Sequence, residues 1–337
     1  MKVVSLFSGA GGLDLGFVKA GAKIIWANDI DKDSVTTYIK NIDNNIILGD
    51  IKKVDKNNIP ECDVLIGGFP CLGYTIAKGK DRTINDPHNL LYLEYLEVLK
   101  KIKPTAFLIE NVAGILQGKE FKITFEKMLR EFYNAGYYHK YKILNSADYG
   151  VPQKRKRVVI VGVRKDKKIS INFPKTTHEK SNNDSFIINN LMNWITLREA
   201  ICDLPELFSK QDPEHVGTKH QVKINGYVGN RKLDWDKPAP TITGRGSRTG
   251  GPVIHPHPNL KRRLSIKECK RIQSFPDDFI FHGSISSAYA QIGNAVPPLL
   301  SFRIAQEFLI AFKEKPKKFE MNEWEIPWKE KIPQIQI

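Results

Sequence analysis

The first half of the chain alternates short apolar runs with segments of helical periodicity, and no other feature of the sequence constrains the fold as strongly. Two of the intervening segments, 91–102 and 121–132, carry apolar side chains at helical spacing. Strands separated by helices in this way predict an α/β fold with a doubly wound, mostly parallel sheet. The seven runs predicted to form its strands are residues 2–7, 22–26, 45–49, 63–67, 105–110, 140–145 and 157–163.

The pattern changes after Pro174, where a polar stretch is followed by short apolar runs mixed with glycine and proline. We interpret this part as a smaller, loop-rich second domain. A helix is predicted beyond it, because Ser265 and Glu268 have the spacing of a capping box. The predicted segments are a first domain, a loop-rich domain, a helical segment and a C-terminal return to the first domain: 1–175, 176–261, 262–290 and 291–337.

The basic residues are unevenly distributed along the chain. The formal net charge is +15, and ten lysines and arginines lie between Gly217 and Arg263, opposed only by Asp234 and Asp236. A local excess of this kind is typical of proteins that bind a polyanion, and nucleic acid is the usual one. The basic run at 261–263 is expected to meet phosphates.

The four cysteines, at positions 62, 71, 202 and 269, are scattered without a C-x-x-C pair. This spacing favours neither a disulfide framework nor a zinc site, and we expect no bound metal. No apolar run approaches the ~18 residues that a membrane span needs. We therefore expect a cytoplasmic protein without a membrane anchor.

Segment 5–17, SLFSGAGGLDLGF, has the pattern of a strand, a glycine-rich turn and a helix. Such a turn lets the backbone approach a ligand closely, and the helix start offers free N–H groups. Asp29 and Asp50 each end a following strand, where an acidic side chain can bind ribose hydroxyls or an adenine amino group. Each feature alone fits a packing turn or a helix cap, but together they outline an adenosine-shaped pocket.

Cys71 directly follows the fourth predicted strand, in the loop GGFPC, and Glu110 ends the fifth. Because the carboxyl ends of parallel strands share one edge of a sheet, both are expected to face one cleft. A thiolate there can attack an electron-poor ring while a carboxylic acid protonates a ring nitrogen. Arg155 and Arg157 precede another strand, where they can hold Glu110 or a substrate oxygen. The alternatives are an inert buried cysteine, an ion-paired carboxylate and a solvated basic run.

Six motifs resemble those of the DNA cytosine-5 methyltransferase family, in the family's order and over nearly the whole chain. They are FSGAGG (7–12), GGFPC (67–71), ENV (110–112), QKRKR (153–157), RLSIKECKRIQSFPDDF (263–279) and QIGNAVPP (291–298). The chain departs from the family at Leu72, where glutamine is usual, and at Tyr74-Thr75, where Phe-Ser is usual. Both departures lie in the loop after Cys71, so they bear on loop closure rather than on the nucleophile.

The resemblance implies a Rossmann-like, S-adenosylmethionine-dependent methyltransferase and a set of catalytic residues. In the family's reaction, Cys71 adds to C6 of cytosine while Glu110 protonates N3, and C5 then takes a methyl group from S-adenosylmethionine. Arg155 and Arg157 complete the implied catalytic group. A base inside a duplex cannot reach Cys71, so it must be flipped out of the helix.

By the same resemblance, Phe7 stacks near the adenine of the cofactor, Asp29 holds the ribose and Asp50 contacts the adenine edge. Asn294 supports the cofactor or the loop that bears Pro70. The full set of cofactor-binding residues implied is Phe7, Ser8, Gly9, Gly11, Gly12, Asp29, Ile30, Asp50, Ile51, Pro70 and Asn294.

The resemblance also assigns a role to each predicted segment. Residues 1–175 correspond to the catalytic and cofactor-binding domain, and residues 176–261 to the target-recognition domain. Residues 262–290 correspond to a hinge and bracing helix. Residues 291–337 return to the catalytic domain.

The segment APTITGRGSRTGG (239–251) resembles the core of the target-recognition domain. Arg245 and Arg248 are candidates for guanine contacts, because arginine binds O6 and N7 bidentately. Arg231 and Lys232 are expected to contact phosphates. The implied partner is double-stranded DNA, and the implied setting is a restriction–modification system with a restriction endonuclease as functional partner. We expect a monomer, associated with the nucleoid.

Three other functions fit parts of the sequence less well. An RNA (tRNA) cytosine-5 methyltransferase is the alternative within the family, but its Cys-Phe-Thr tripeptide is absent from the sequence. A dinucleotide-dependent oxidoreductase would need the G-x-G-x-x-G fingerprint and leaves Cys71 unexplained. A non-catalytic DNA-binding protein on the same fold is disfavoured by the presence of Cys71, Glu110, Arg155 and Asn294.

Overall fold

The computed structural model describes residues 1–70, 90–180, 191–208, 211–226, 228–244 and 253–317. Three predicted site residues, Cys71, Arg245 and Arg248, lie outside the described residues. The described chain divides into two compact units. The first comprises Met1–Leu144, Lys156–Pro174 and Ser301–Lys317, and the second comprises Asn145–Arg155 and Lys175–Leu300. The four segments predicted from the sequence stay a prediction.

The described strands and helices have the following bounds. The strands are β1 (Lys2–Leu6), β2 (Lys23–Asp29), β3 (Ile46–Leu48), β4 (Val64–Gly67), β5 (Ala106–Val112), β6 (Tyr137–Asn145), β7 (Gln153–Lys154), β8 (Lys156–Arg164), β9 (His178–Glu179), β10 (Met192–Asn193) and β11 (Ala239–Pro240). The helices are α1 (Gly12–Ala20), α2 (Lys32–Asn41), α3 (Leu91–Ile102), α4 (Lys119–Asn134), α5 (Leu197–Ile201), α6 (Ile266–Ile272), α7 (Ile285–Asn294) and α8 (Pro298–Ala311).

The first unit is built on a seven-stranded sheet of order β3-β2-β1-β4-β5-β8-β6. The strands from β3 to β5 run parallel, and β8 is antiparallel to β5. All seven predicted runs form strands of this sheet, so the predicted mostly parallel sheet is confirmed. Every residue of β4 is buried. Since successive side chains point to opposite faces, both faces of the sheet are covered at its centre, as a doubly wound fold requires.

Aromatic packing holds the strands whose ends carry the candidate residues. The rings of Tyr95 in α3, Phe107 in β5 and Phe132 in α4 pack together with centroids 5.1–6.3 Å apart. The Tyr95 hydroxyl lies between the carbonyls of Leu65 and Leu108, at 2.9 and 3.1 Å. Helix α3 is therefore anchored to both β4 and β5, which keeps the carboxyl ends of these two strands in register.

The second unit consists mostly of loops stabilised by short elements. Strand β7 pairs with β11, and β9 pairs with β10. Helix α6 begins at the predicted capping box, because the Ser265 hydroxyl accepts the N–H of Glu268 and the Glu268 side chain accepts the N–H of Ser265. Thr196 and Glu199 form a second capping box at α5. Within the described parts of the chain, no helix is long and apolar enough to cross a membrane.

Candidate active site

The candidate residues of the first unit meet at the carboxyl edge of the parallel strands. The register of the sheet pairs Leu6 with both Asn28 and Gly67, and Gly67 with Ile109. Strands β1, β2, β4 and β5 therefore end at the same level of the sheet. Open α/β sheets bind ligands at this edge.

A tight turn joins β1 to α1 and contains the predicted glycine motif. Phe7, Gly9 and Gly11 all have positive φ angles, of 55°, 54° and 88°. A Cβ on Gly11 would lie 2.1 Å from the Ile42 side chain, so only glycine fits there. Ser8 is buried, and its hydroxyl hydrogen bonds to the Ser5 side chain at 3.0 Å. The turn is thus mostly buried, with Phe7 and Gly9 partly accessible at the strand edge.

Asp29 holds this turn from the end of β2. Its Oδ2 accepts the N–H of Gly9 at 2.7 Å, and its Oδ1 accepts the N–H of Asp31 at 2.9 Å. Burial raises the pKa of Asp29, and the two backbone hydrogen bonds oppose that effect. Each carboxylate oxygen keeps a second lone pair, so Asp29 can still accept hydrogen bonds from a ligand hydroxyl.

Asn28, which was not among the predicted site residues, holds the loop that carries Asp50 against the carboxyl end of β2. The Asn28 amide donates to the carbonyls of Ile47 and Gly49, at 3.0 and 2.9 Å. Asp50 is half-buried, and its Oδ1 accepts the N–H of Lys52 at 3.0 Å. The sequence held one signal for this role: Asn28 directly precedes Asp29 at the end of β2, and an asparagine amide can bridge two strands.

The apolar candidates at this edge differ in exposure. Ile30, directly after Asp29, is 69% exposed, whereas Ile51 is buried. Phe7 is half-buried, and its ring packs edge-to-face on Phe69 with centroids 6.4 Å apart. An exposed isoleucine beside a hydrogen-bonding carboxylate provides both an apolar and a polar surface. The structure thus brings together the predicted cofactor residues of the first unit, and Asn294 lies in the second.

A buried carboxyl group, Asp14, lies in the first turn of α1 and accepts a hydrogen bond from the Tyr38 hydroxyl at 3.0 Å. Burial raises the pKa of Asp14 to about 7, and hydrogen bonds from Ser5 and Tyr38 offset the effect only in part. In the unfolded chain the carboxyl loses its proton near pH 4, so the unfolded state binds fewer protons between pH 4 and 7. The free energy of unfolding therefore falls as pH rises through this range.

We expect the wild-type protein to lose about 3 kcal/mol more stability between pH 5 and pH 8 than the Asp14→Asn variant. Denaturant unfolding of both proteins at the two pH values measures this difference, and the comparison cancels the contribution of every other titrating group. The same loss of stability in both proteins would contradict a buried, protonated Asp14.

Glu110 and Arg157 form an ion pair at the carboxyl end of β5. The Arg157 Nε lies 2.9 Å from Glu110 Oε1, and both side chains are only 12% exposed. In the β5–β8 register Glu110 faces Val159, two residues from Arg157, so the pair are diagonal neighbours on one face of the sheet. Burial lowers the pKa of Arg157, and the Glu110 carboxylate opposes that effect. The carboxyl group is therefore held in one place, on a strand rather than on a loop.

The chain that leads to Cys71 passes beside this ion pair. A Cβ on Gly68 would lie 3.3 Å from Oε2 of the paired carboxylate. The Asn111 amide donates to the carbonyl of Phe69 at 3.2 Å, which fixes the start of the loop. Pro70 is half-buried. Cys71 lies outside the described residues, so its predicted place opposite the carboxyl group stays a prediction.

Arg155, predicted with Arg157 as a catalytic residue, makes its described contacts within the second unit. Its guanidinium donates to the carbonyls of Ile242 and Gly293, both at 2.9 Å, and the side chain is buried. Asn294 follows at the end of α7 and is exposed. The two arginines of the QKRKR motif therefore have different partners.

The basic residues of the second unit are also of two kinds. Arg231 and Lys232 are exposed, as a phosphate contact requires. Arg262 is buried and makes two 2.7 Å hydrogen bonds to the Glu268 carboxylate, while Arg263 donates to the carbonyls of Gly229, Ile254 and Gln221. The expectation that the run 261–263 meets phosphates is therefore wrong for the buried Arg262, whose pairing with Glu268 stabilises the fold of the second unit, and it stays a prediction for Lys261 and the half-buried Arg263.

Comparison with known proteins supports a single family. The sequence profile of the C-5 cytosine-specific DNA methylase family matches residues 1–309. The chain is 38% identical to the Type II methyltransferase M.FnuDI of Fusobacterium nucleatum, over 94% of this chain and 97% of that one. It is 34% identical to the Type II methyltransferase M.NgoFVII of Neisseria gonorrhoeae, over 96% of this chain and 90% of that one.

Solved structures of similar fold agree with this assignment. A DNA modification methyltransferase encoded within an Escherichia coli prophage superposes with a TM-score of 0.71 at 23% identity, covering 93% of this chain and all of that one. The Dnmt2 methyltransferase of Schizosaccharomyces pombe superposes with a TM-score of 0.65 at 19% identity, covering 93% and 99% of the two chains. At these identities the structures show a common fold. With the profile match over most of the chain, they lead to one conclusion: the chain belongs to the C-5 cytosine-specific DNA methylase family and is a DNA cytosine-5 methyltransferase.

Proposed function

We propose that the chain methylates C5 of a cytosine within a specific duplex DNA sequence, using S-adenosylmethionine as the methyl donor and Cys71 as a covalent nucleophile. The observation that carries the proposal is the Glu110–Arg157 ion pair at the end of β5, beside Gly68 of the loop that leads to Cys71. A positioned carboxyl group next to a cysteine-bearing loop is the arrangement that ring activation needs.

The proposed reaction begins when the Cys71 thiolate adds to C6 of the cytosine ring. Glu110 delivers a proton to N3 in the same step, so the ring takes up the electron pair as an enamine without building negative charge. The bound cofactor supplies an electrophilic methyl group to C5. Transfer of the C5 proton to water, departure of the Cys71 sulfur as a thiolate and return of the N3 proton to Glu110 then restore the neutral aromatic ring.

Arg157 supports this chemistry by orienting the carboxyl group. Its guanidinium is fixed by the ion pair and by a 2.9 Å hydrogen bond from Nη1 to the carbonyl of Lys156. The orientation of Glu110 is therefore set before substrate binds, which lowers the entropic cost of proton transfer. Since these groups lie at a sheet edge, a duplex cytosine must leave the base stack to reach them.

The residues at the ends of β1, β2 and β3 are proposed to bind the adenosine group of the cofactor. The Asp29 carboxylate can accept the ribose hydroxyls, and the exposed Ile30 offers an apolar surface for the adenine ring. Asp50 is proposed to accept a hydrogen bond from the adenine amino group. The N–H groups of the first turn of α1 are proposed to bind the carboxylate of the methionine moiety. No residue in this pocket favours a pyrophosphate, so we prefer S-adenosylmethionine over a dinucleotide.

The Asp29→Asn variant is expected to bind S-adenosylmethionine about 10-fold to 100-fold more weakly than wild type, because a charged acceptor of ribose hydroxyls is lost. Titration calorimetry measures the affinity. Asp31→Asn is the matched control, since asparagine caps α2 as well as aspartate does and its affinity should be unchanged. Unchanged affinity in Asp29→Asn, or tight NAD binding by a wild-type protein that ignores S-adenosylmethionine, would contradict the proposed pocket.

We further propose that the enzyme acts on double-stranded DNA as a monomer and modifies the sites of a cognate restriction endonuclease. The relatives named above are Type II methyltransferases, and they span nearly the whole length of this chain. The exposed Arg231 and Lys232 provide phosphate contacts, and Arg245 and Arg248 are proposed to recognise guanines. The tRNA alternative is disfavoured because no cysteine of the chain is followed by Phe-Thr.

Bisulfite sequencing of DNA from a methylation-free host that expresses the gene tests the proposed function. We expect one cytosine of a short, recurring sequence to resist conversion throughout the genome, and the same experiment identifies that sequence. A host that expresses the Cys71→Ser variant serves as the control. Complete conversion of genomic DNA together with protected cytosines in tRNA would instead favour the RNA methyltransferase.

A further inference from the structure

We propose that Arg155 is a positioning residue that joins the recognition core, residues 241–244, to the carboxyl end of α7. This inference deepens the proposed function and rests on it, because it concerns how the same enzyme discriminates among DNA sequences. All the contacts that support it lie within the second unit. It differs from the role predicted for Arg155 from the sequence, in which the side chain touches the reacting groups.

The guanidinium of Arg155 bridges two backbone carbonyls. Nη1 donates to Ile242 and Nη2 donates to Gly293, each at 2.9 Å, and the side chain is 1% exposed. A planar guanidinium presents its donors in a fixed geometry, so it sets both the separation and the angle of the two carbonyls. A buried arginine used in this way fixes the recognition core against α7.

The backbones on the two sides of the bridge are in direct contact. A Cβ on Gly293 would lie 2.2 Å from the nitrogen of Gly244 and 2.4 Å from the carbonyl carbon of Thr243. A Cβ on Gly244 would lie 2.5 Å from the carbonyl oxygen of Ala290. No side chain fits between the two segments, so any larger residue must push the recognition core away from α7.

Two glutamines complete the junction, by which we mean the contact between residues 241–244 and the carboxyl end of α7. Gln153 accepts the N–H of Ile242 at 3.2 Å and donates to the Gln273 side chain. Gln273 in turn donates to the carbonyls of Ile292 and Ala295, at 2.9 and 2.7 Å. Both backbone groups of Ile242 are thus held by side chains of the QKRKR motif. The motif therefore fixes the recognition core through both the N–H and the carbonyl of Ile242.

Along the chain, the junction directly precedes Arg245 and Arg248, the residues proposed to recognise guanines. We expect it to affect specificity because of this position. Arg245 is the next residue after Gly244, and Asn294 is the next residue after Gly293. The base of the segment that carries Arg245 and Arg248 is therefore fixed before DNA binds. A recognition segment with a fixed base loses less conformational freedom on binding, and small displacements of that base misplace its guanine contacts.

The test compares Arg155→Lys, Gly293→Ala and the double variant in steady-state methylation of the target duplex and of duplexes that differ from it by one base pair. Lysine keeps the positive charge but lacks the planar, two-nitrogen fork with which the guanidinium fixes the separation and angle of the two carbonyls. Alanine at 293 displaces the same backbone without removing any functional group. For each single variant we expect KM for the target duplex to rise about 10-fold and discrimination to fall about 10-fold, with kcat within about threefold of wild type.

Because both substitutions break one junction, the double variant should be no worse than the more affected single variant. Arg198→Lys, an exposed arginine paired with Asp236, is the matched control and should behave as wild type. Hydrogen–deuterium exchange of the free proteins provides a readout that does not depend on activity. Exchange at residues 241–244 should be faster in Arg155→Lys and Gly293→Ala than in wild type.

A fall in kcat for Arg155→Lys, with KM and discrimination unchanged, would overturn the inference, because it would place Arg155 at the reacting groups. Losses that multiply in the double variant, or unchanged exchange at 241–244, would overturn it as well. If wild type methylates no duplex, the proposed function fails; the exchange result then still decides whether Arg155 holds the recognition core.

Discussion

The Cys71→Ser variant is expected to lose methyl transfer by at least about 10⁴-fold in kcat, because a serine hydroxyl stays protonated at neutral pH and is a far weaker nucleophile than a thiolate. The substitution exchanges one small side-chain atom, so folding and DNA binding should be retained. Transfer of labelled methyl groups from S-adenosylmethionine to the target duplex measures the effect, and equilibrium binding to the same duplex shows that the variant still recognises DNA.

Cys202→Ser is the matched control for this variant. Cys202 is exposed at the end of α5, and nothing places it at the sheet edge, so the same chemical change there should leave kcat and KM unchanged. Methylation by Cys71→Ser at a rate near that of wild type would show that Cys71 is not the nucleophile. A large effect of Cys202→Ser would show that the assay responds to cysteine loss in general.

The Glu110→Gln variant is expected to lower kcat by about 10²-fold to 10⁴-fold, which is the usual contribution of a positioned general acid. Glutamine keeps the size of the side chain and one acceptor for Arg157, but it cannot deliver a proton to N3. KM for DNA should change little, because the carboxyl group lies on a strand and is held within the protein by the 2.9 Å ion pair. Single-turnover kinetics with saturating DNA and cofactor separates the chemical step from binding.

The control for Glu110→Gln is Glu126→Gln, the same substitution at an exposed position of α4. Thermal unfolding of Glu110→Gln should show a folded protein, although the largely enclosed Arg157 then lacks an opposite charge. A kcat near that of wild type would contradict the acid role. A loss confined to KM would instead assign Glu110 to substrate binding.

The central sheet could be predicted because the parallel strands at its centre, β1, β4 and β5, are largely buried on both faces and therefore appear as continuous apolar runs. The prediction was less accurate for the edge strand β6, which begins at Tyr137, three residues before the predicted run. Of the three missed residues, Tyr138 is exposed and His139 is half-buried, so they carry no signal of burial. Local patterns thus identify the strands but not all of their ends.

The candidate site shows the same limit more clearly. Arg155 and Arg157 stand two positions apart in one motif, and both were predicted to be catalytic. Arg157 contacts Glu110 because of the register of β8 against β5, and register depends on the assembled sheet rather than on any local pattern. The count of basic residues wrongly predicted a phosphate contact for Arg262, for a related reason. Arg262 belongs to a basic run in the sequence, but its partner Glu268 is buried beside it in the folded unit.

Covalent trapping on a target duplex with 5-fluorocytosine in place of the modified cytosine is the decisive measurement for the proposed mechanism. Cys71 should add to C6 and the methyl group should transfer, but fluorine cannot leave C5 as a proton does, so the enzyme should remain covalently attached to the DNA. Mass spectrometry of the digested complex should locate the attachment at Cys71, and the Cys71→Ser variant should form no adduct. An enzyme that methylates unmodified DNA without forming this adduct, or that is attached through Cys62, Cys202 or Cys269, would contradict the proposed mechanism.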